Sequence, residues 1–277
     1  MPKIIFLACL LSSLALAGQT ADTVHISPTH TGLLLIAATQ NGFAVAADGA
    51  QANADGTASE VPKVFQVGKY GAIALAGSVS IQDPIDRPVR EEVNVSTIAK
   101  AWLDSHPDAG LDAANREINA LVYQAVTNFF STRNPGAQAG KFAFAIICVG
   151  FVNGKPLTAG NRYFTPISKG KAARTEKTAD NLKFGEVWSN GAGKVLEELI
   201  SGRSAALAKF KAEPSAKKFH SSAARDLSAL DFLNLFDTIL QAAESEEGKK
   251  FDHGLSIVAP PNRLATISAK DGFAWKK

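Results

Sequence analysis

Short apolar segments separated by turn residues dominate the first hundred positions of the chain. Residues 33–38 and 43–47 are almost wholly apolar, and Asn41-Gly42 between them is a dipeptide typical of tight hairpins. Residues 64–67 and 72–76 form a second apolar pair around a glycine-bounded turn. The pattern therefore predicts two consecutive β-hairpins whose strands are mostly buried.

Two longer stretches carry apolar residues at helical spacing instead. Residues 112–130 place seven apolar side chains on one face: Ile118, Leu121, Val122, Ala125, Val126, Phe129 and Phe130. A second helix is predicted from Ser228 to about Glu246, and Ser228 with Asp231 resembles a capping box at its start. Shorter helices are predicted over 96–105 and 191–201.

Strand-like segments return between and after these helices. The predicted strands cover residues 142–152, 155–164, 187–188, 255–258, 264–267 and 272–275. No composition shift or linker divides the chain, so we expect a single domain over residues 31–277. Antiparallel hairpins with helices inserted in blocks indicate the α+β class, with two sheets packed face to face and the helices outside.

The first residues resemble a targeting signal rather than part of the fold. Met1-Pro2-Lys3 is a short positive start, residues 4–17 are almost wholly apolar, and Ala15-Leu16-Ala17 is a small-x-small cleavage pattern. An apolar run of this length is too short for a membrane span, which needs about 20 residues. We therefore expect a signal peptide over residues 1–17, a leader or propeptide over 18–30, and a secreted or periplasmic protein.

Composition and charge exclude several classes of function. The chain has 277 residues, 46% of them hydrophobic, and a net charge of +3, which does not favour a nucleic-acid partner. The five histidines are scattered without metal-ligand spacing, so neither a metal nor another cofactor is expected. After removal of the signal only Cys148 remains, in an apolar strand where a small buried hydrophobic residue is expected.

Five segments, taken in order, resemble those of one hydrolase family. They are Asn41–Asp48, Pro62–Val67, Ala72–Ser78, Ser189–Glu197 and Gly254–Trp275. On the basis of these five segments, the sequence is identified as a divergent exported member of the proteasome β-type and HslV-like N-terminal-nucleophile (Ntn) hydrolases. The resemblance implies a four-layer αββα sandwich, in agreement with the pattern above.

The resemblance also implies a threonine-type peptidase or amide hydrolase. In the family a threonine exposed as the first residue attacks an amide through its hydroxyl, and its α-amine, of ordinary pKa about 7.7–8.0, acts as the base. Lys63 matches the family lysine, and Asp48 matches the acidic residue that holds it. Hairpin pairing around Asn41 makes Thr31 the candidate nucleophile, which requires a second cut that removes residues 18–30.

Other positions of this implied site stay open. Spacing without gaps from Asp48 places Gly32 at the nucleophile position, and Thr31 fits only with one inserted residue in the turn. Ser189 or Asn190 takes the place of the family's supporting serine, and an acidic support residue near Glu247 is a further candidate.

Two classes of function follow from these residues. The first is a self-processed hydrolase that acts on a peptide or a small amide. For such a hydrolase the resemblance implies a homo-oligomeric ring. Because we expect export, an ATP-driven unfoldase is not expected as a partner. The second is a non-catalytic proteasome-like protein that serves binding or assembly.

Overall fold

The structure is a computed structural model of the whole chain. It describes residues 24–27, 32–52, 58–82, 92–191, 193–202, 205–252 and 258–276. The predicted signal peptide and the candidate nucleophile Thr31 lie outside the described residues.

Fifteen strands are present in the described part of the chain. They are β1 (Val24–Ser27), β2 (Leu34–Thr39), β3 (Gly42–Ala47), β4 (Ala50–Ala52), β5 (Ala58–Glu60), β6 (Val64–Val67), β7 (Gly71–Gly77), β8 (Ser80–Gln82), β9 (Glu92–Asn94), β10 (Phe142–Val152), β11 (Lys155–Phe164), β12 (Arg174–Thr178), β13 (Val187–Asn190), β14 (Arg263–Ser268) and β15 (Gly272–Trp275).

Seven α-helices accompany them in the same described residues. They are α1 (Val95–Ser105), α2 (Leu111–Ser131), α3 (Gly193–Ser201), α4 (Ala208–Lys211), α5 (Pro214–Ser221), α6 (Ala229–Glu244) and α7 (Glu246–Phe251).

Most of the strands form two large sheets. Sheet 1 has the order β1-β13-β2-β3-β14-β15, and sheet 2 has the order β12-β11-β10-β7-β6. The pairs within both sheets are antiparallel except β1 with β13, which is parallel. Each predicted hairpin is present: β2 pairs with β3 in sheet 1, and β6 pairs with β7 in sheet 2.

Alternation along the central strands separates two apolar faces on each sheet, because successive side chains of a strand point to opposite faces. Leu34 and Ile36 of β2 face the layer between the sheets, while Leu35 and the preceding Leu33 face away from it. The layer between the sheets is rich in small residues: Ala38, Ala47, Ala72, Ala74, Ala76, Ala145 and Ala179 belong to it. The two sheets therefore share one continuous inner core.

Helices cover the two outer faces. Helices α1 and α2 pack on sheet 2 through residues such as Trp102, Ile118 and Val126. Helices α3 to α6 pack on sheet 1, and α6 contributes Phe232 and Phe236 to that core. The molecule is thus α+β, a four-layer αββα sandwich with two sheets packed face to face and helices outside, and the predicted fold class is confirmed.

Local sequence signals explain where α1 and α6 begin. At α6 the Ser228 side chain accepts a hydrogen bond from the Asp231 N–H, and Asp231 accepts one from the Ser228 N–H, which is the predicted capping box. At α1 the Asn94 side chain caps the Thr97 N–H. Residues 112–130 were predicted as a helix, and α2 extends one residue further at each end.

The structure differs from the predicted elements in several places. Residues 24–27 form strand β1, although the sequence there predicts an unstructured leader. Strand β12 was not predicted, since Arg174–Thr178 is polar throughout, as suits the edge of a sheet. The predicted strand 255–258 lies almost wholly outside the described residues.

Candidate functional site

The carboxylate of Asp48 lies at the end of β3, in the interior of the molecule. Its side chain is fully buried. Oδ1 accepts hydrogen bonds from the Leu33 N–H at 2.6 Å and from Lys63 Nζ at 2.8 Å, and Oδ2 accepts one from the Ala50 N–H at 3.1 Å. Asp48 therefore joins the start of β2, the start of β4 and the residue before β6.

Lys63 reaches this carboxylate from the other sheet. It directly precedes β6, and its carbonyl accepts the Leu75 N–H at 2.7 Å, which fixes it beside β7. The Lys63 side chain is 1% exposed, and its Nζ forms an ion pair with Asp48. The pair thus crosses the layer between the sheets.

The electrostatics of the pair reflect its burial. Burial raises the pKa of Asp48 above its usual range, while the Lys63 charge and the three hydrogen-bond donors act in the opposite direction. Removing charges from water costs several kcal/mol per ion, and good geometry with additional hydrogen bonds is needed to offset it. Asp48 accepts three such bonds, so we expect the free energy of unfolding to fall strongly when either Asp48 or Lys63 is replaced alone.

Gly32 lies directly against this ion pair. A Cβ at this residue would be 2.4 Å from Lys63 Nζ and 3.0 Å from Asp48 Oδ1. Its φ of +65° is in the left-handed region, where glycine is favoured. The residue next to the Lys63 ammonium is thus a glycine, which has no side-chain hydroxyl, thiol or amine that could act as a nucleophile.

Ser189 and Asn190 lie on the neighbouring strand β13 and are fully buried. They pair with Leu35 and Leu34 of β2, so they are one strand away from the start of β2. Gly191 follows, and a Cβ there would lie 1.7 Å from the Gly32 carbonyl oxygen. The end of β13 therefore supports the backbone that carries Gly32.

The predicted site residues are brought together only in part. Asp48 and Lys63 are in direct contact, as the resemblance implies, and Ser189 lies on the adjacent strand. Glu247 is in α7, its side chain is 57% exposed, and it forms an ion pair with Lys209. This surface position separates Glu247 from the buried pair.

Two glycines of this region were missed as structural residues by the reasoning from sequence. In the sequence, Gly191 is only one position of the segment Ser189–Glu197, and Gly32 follows only from a spacing without gaps. The spacing from Asp48 was the signal that could have identified Gly32, since the observed register of β2 and β3 runs from Thr39↔Gly42 to Leu34↔Ala47 without interruption.

The described residues hold neither a metal-binding cluster nor a membrane-spanning helix. No group of three or more His, Cys, Asp or Glu in this part of the chain could hold a metal ion. None of the described helices is both long enough and apolar enough to cross a membrane.

Comparison with known proteins gives similarity at the level of structure only. No family model matches the chain, and no curated protein matches it. Among solved structures, the Anbu (Gly-1) mutant from Hyphomicrobium sp. strain MC1 is 14% identical with a TM-score of 0.46, covering 89% of this chain and 85% of its own. Anbu from the same strain in another crystal form is 13% identical with a TM-score of 0.43, covering 88% and 86%.

These results correct the family assignment made from the sequence. The prediction that the chain is a divergent exported member of the proteasome β-type and HslV-like hydrolases is wrong in that form, because no family model matches the chain and the similar structures are Anbu at 13–14% identity. The described parts of the segments behind the assignment lie on strands, on the turns between them and on the start of α3. This chain is distantly similar in structure to Anbu, and its fold class rests on its own architecture.

Proposed function

We propose that this protein is a non-catalytic domain of proteasome-subunit-like architecture that serves binding or assembly. The observation that carries the proposal is Gly32, whose α-carbon faces Lys63 Nζ and Asp48 Oδ1 with no side chain between them. Attack on an amide requires a nucleophile held near its activating groups. The residue in contact with this pair supplies none.

A structural role accounts for the pair without a reaction. Asp48 binds the N–H groups of Leu33 and Ala50, and it holds Lys63 across the layer between the sheets. It therefore fixes the entry to β2 and links sheet 1 to sheet 2. Such a link would keep the site's geometry in a protein that has no need of its chemistry.

A second candidate is a threonine-type peptidase or amide hydrolase that uses Thr31. The burial of Lys63 and Asp48 favours it, since a buried ion pair contributes little net stability and buried ionisable pairs are frequent at functional sites. Thr31 immediately precedes the glycine that touches the pair. In this candidate the substrate is a short or unfolded peptide or a small amide, and the protein acts outside the cytoplasm without an ATP-driven unfoldase.

The mature N-terminus separates the two candidates. We would purify the exported protein, determine its first residue by intact mass and N-terminal sequencing, and treat it with a probe that reacts with an N-terminal threonine. A first residue near Gly18 and no labelling would support the non-catalytic protein. A first residue at Thr31, with labelling that Thr31→Ala abolishes, would overturn it.

A further inference from the structure

Strand β1 occupies the outer edge of sheet 1, although it belongs to the segment that precedes Thr31. Its four residues pair in parallel with β13, from Val24↔Val187 to Ser27↔Asn190. On its other side β13 pairs with β2. The segment that the sequence suggests as a disposable leader is therefore part of the sheet that carries the candidate site.

The path from β1 to β2 is short. The two strands run in opposite directions with β13 between them, so the chain must cross two interstrand spacings, about 10 Å in total. Six residues, 28–33, connect Ser27 to Leu34. Ser27 and Leu34 both pair with Asn190, so the end of β1 and the start of β2 both lie at the C-terminal end of β13.

Gly191, which directly follows β13, lies against the backbone of Gly32, just ahead of β2. Its φ is +91°, and a Cβ there would meet the Gly32 carbonyl oxygen at 1.7 Å, far closer than any van der Waals contact. The oxygen belongs to the backbone, so a flexible side chain cannot relieve the overlap. The end of β13 is thus shaped around the chain that enters β2.

The pairing also completes β13. Val187, Trp188, Ser189 and Asn190 are each no more than 2% exposed. Without β1, the outer row of N–H and C=O groups on this strand would lose its partners, and unpaired backbone groups at a sheet edge are costly when buried and prone to pair with other chains when exposed.

We propose that residues 24–27 are a permanent strand of the folded protein, paired with β13 of the same chain, and are not a leader that is discarded. This goes beyond the proposed function and agrees only with its non-catalytic form, because exposure of Thr31 as a first residue requires a cut that removes residues 18–30. Removal of the segment would open the β13 edge beside Ser189.

Amide hydrogen exchange on the natural full chain is the first test. Peptides that cover residues 24–27 should retain deuterium-exchange protection comparable to that of other edge strands, such as β12. Complete exchange of these amides at the earliest time point would overturn the proposal. This measurement needs no variant, so it is independent of whether any substitution folds.

Proline substitution tests the register. In a parallel pair only alternate residues direct their N–H toward a given neighbour, and on an edge strand the others face away from the sheet. Of His25→Pro and Ile26→Pro, one should therefore lower the Tm by about 3 °C or more, since about 1 kcal/mol shifts Tm by roughly 2–4 °C in a chain of this size. An unchanged Tm in both variants would contradict a paired strand.

Gly191→Ala tests the crossing, with Gly110→Ala as its control. Gly110 has φ −73° and nothing within 4 Å of a built Cβ, so alanine is accommodated there. Faster exchange of residues 24–27 in Gly191→Ala than in Gly110→Ala would support the proposal, and equal exchange in the two would contradict it. Protection that disappears on dilution, together with a dimer in native mass spectrometry, would show exchange of β1 between copies and overturn pairing within one chain.

Discussion

The central strands β3 of sheet 1 and β7 of sheet 2 are both buried along their whole length, but they end differently. Strand β3 leads into Asp48, a fully buried carboxylate, whereas β7 ends at Gly77 among apolar neighbours. The side chains of β7 lie in the two apolar cores on either side of sheet 2. The end of β3 carries a charge that the fold must neutralise, which marks it as the region where structure is organised around polar contacts.

Removing one charge should give the largest effect. Lys63→Ala leaves Asp48 buried without its ion-pair partner, and such single removals cost about 3–5 kcal/mol of unfolding free energy. Denaturant unfolding would measure the loss. The double variant Asp48→Asn/Lys63→Met removes both charges and should recover much of it; a loss below about 1 kcal/mol for Lys63→Ala would show that the pair is not coupled.

The apolar region should respond to a cavity instead. Ile146 on β10 is fully buried in the core between sheet 2 and its covering helices, so Ile146→Ala should cost about 2–5 kcal/mol, and the loss should not depend on ionic strength. Ile167, which is 75% exposed, provides the control: Ile167→Ala should change the stability by less than about 0.5 kcal/mol. A salt-dependent loss at Ile146 would contradict the distinction between the two regions.

A pair of the same residue types on the surface sharpens the comparison. Lys218 and Asp231 are 2.7 Å apart with side chains 55% and 20% exposed, so Lys218→Ala should cost about 1 kcal/mol or less. Burial acts to raise the pKa of Asp231, but the bonds from Lys218 and Ser228 outweigh it and hold the pKa below the ordinary 3.8.

The pH dependence of that pair follows from the direction of the shift. Because the folded-state pKa of Asp231 is lowered, its contribution is complete above the unfolded pKa and is lost as the pH falls through the folded value. Unfolding measured between pH 6 and pH 2 (about the range of the carboxylate titration) should therefore show a weaker acid dependence in Lys218→Ala. An unchanged acid dependence would indicate that Ser228 alone sets the shift.

The smallest effect is expected at Cys148. Burial in sheet 2, with a smaller contribution from Asp112, raises the pKa of this thiol to about 12. Since the thiolate is the reactive form, a thiol reagent at pH 8 should leave the native protein unlabelled and should label it only after unfolding. Rapid labelling of the folded chain would mean that the apolar region opens more readily than its packing indicates.

The sequence predicted those elements whose signals are local. The apolar runs of β2 and β3 around Asn41-Gly42, the helical spacing of apolar residues in α2 and the capping box at Ser228 all appear in short windows of sequence, and each element is present in the structure. Strands β1 and β12 were missed because their formation depends on a neighbour in the sheet. A polar segment such as Arg174–Thr178 gains its conformation from pairing with β11, and pairing partners are not visible in a local pattern.

The candidate site was predictable to a similar extent. The contact of Asp48 with Lys63 followed from the resemblance, since two positions at fixed offsets in adjacent hairpins are brought together by the fold. The contact of Gly32 with both groups depends on the register of one hairpin, where a shift of one residue moves each side chain to the opposite face. This one-residue difference in register decides whether residue 31 or residue 32 lies against the ion pair, and the Asn41-Gly42 turn motif alone does not determine it.

The alanines between the sheets have a consequence for charge as well as for packing. Packed sheets lie about 10 Å apart, a distance set by the side chains between them. Ala74, opposite Val64 and one residue from the Leu75–Lys63 bond, is a small side chain in this layer, and a larger one would force the sheets apart or into strain. The thickness of this apolar layer therefore determines how far the Lys63 side chain must extend to meet Asp48. Uncharged residues thus control the distance between two charges on different sheets.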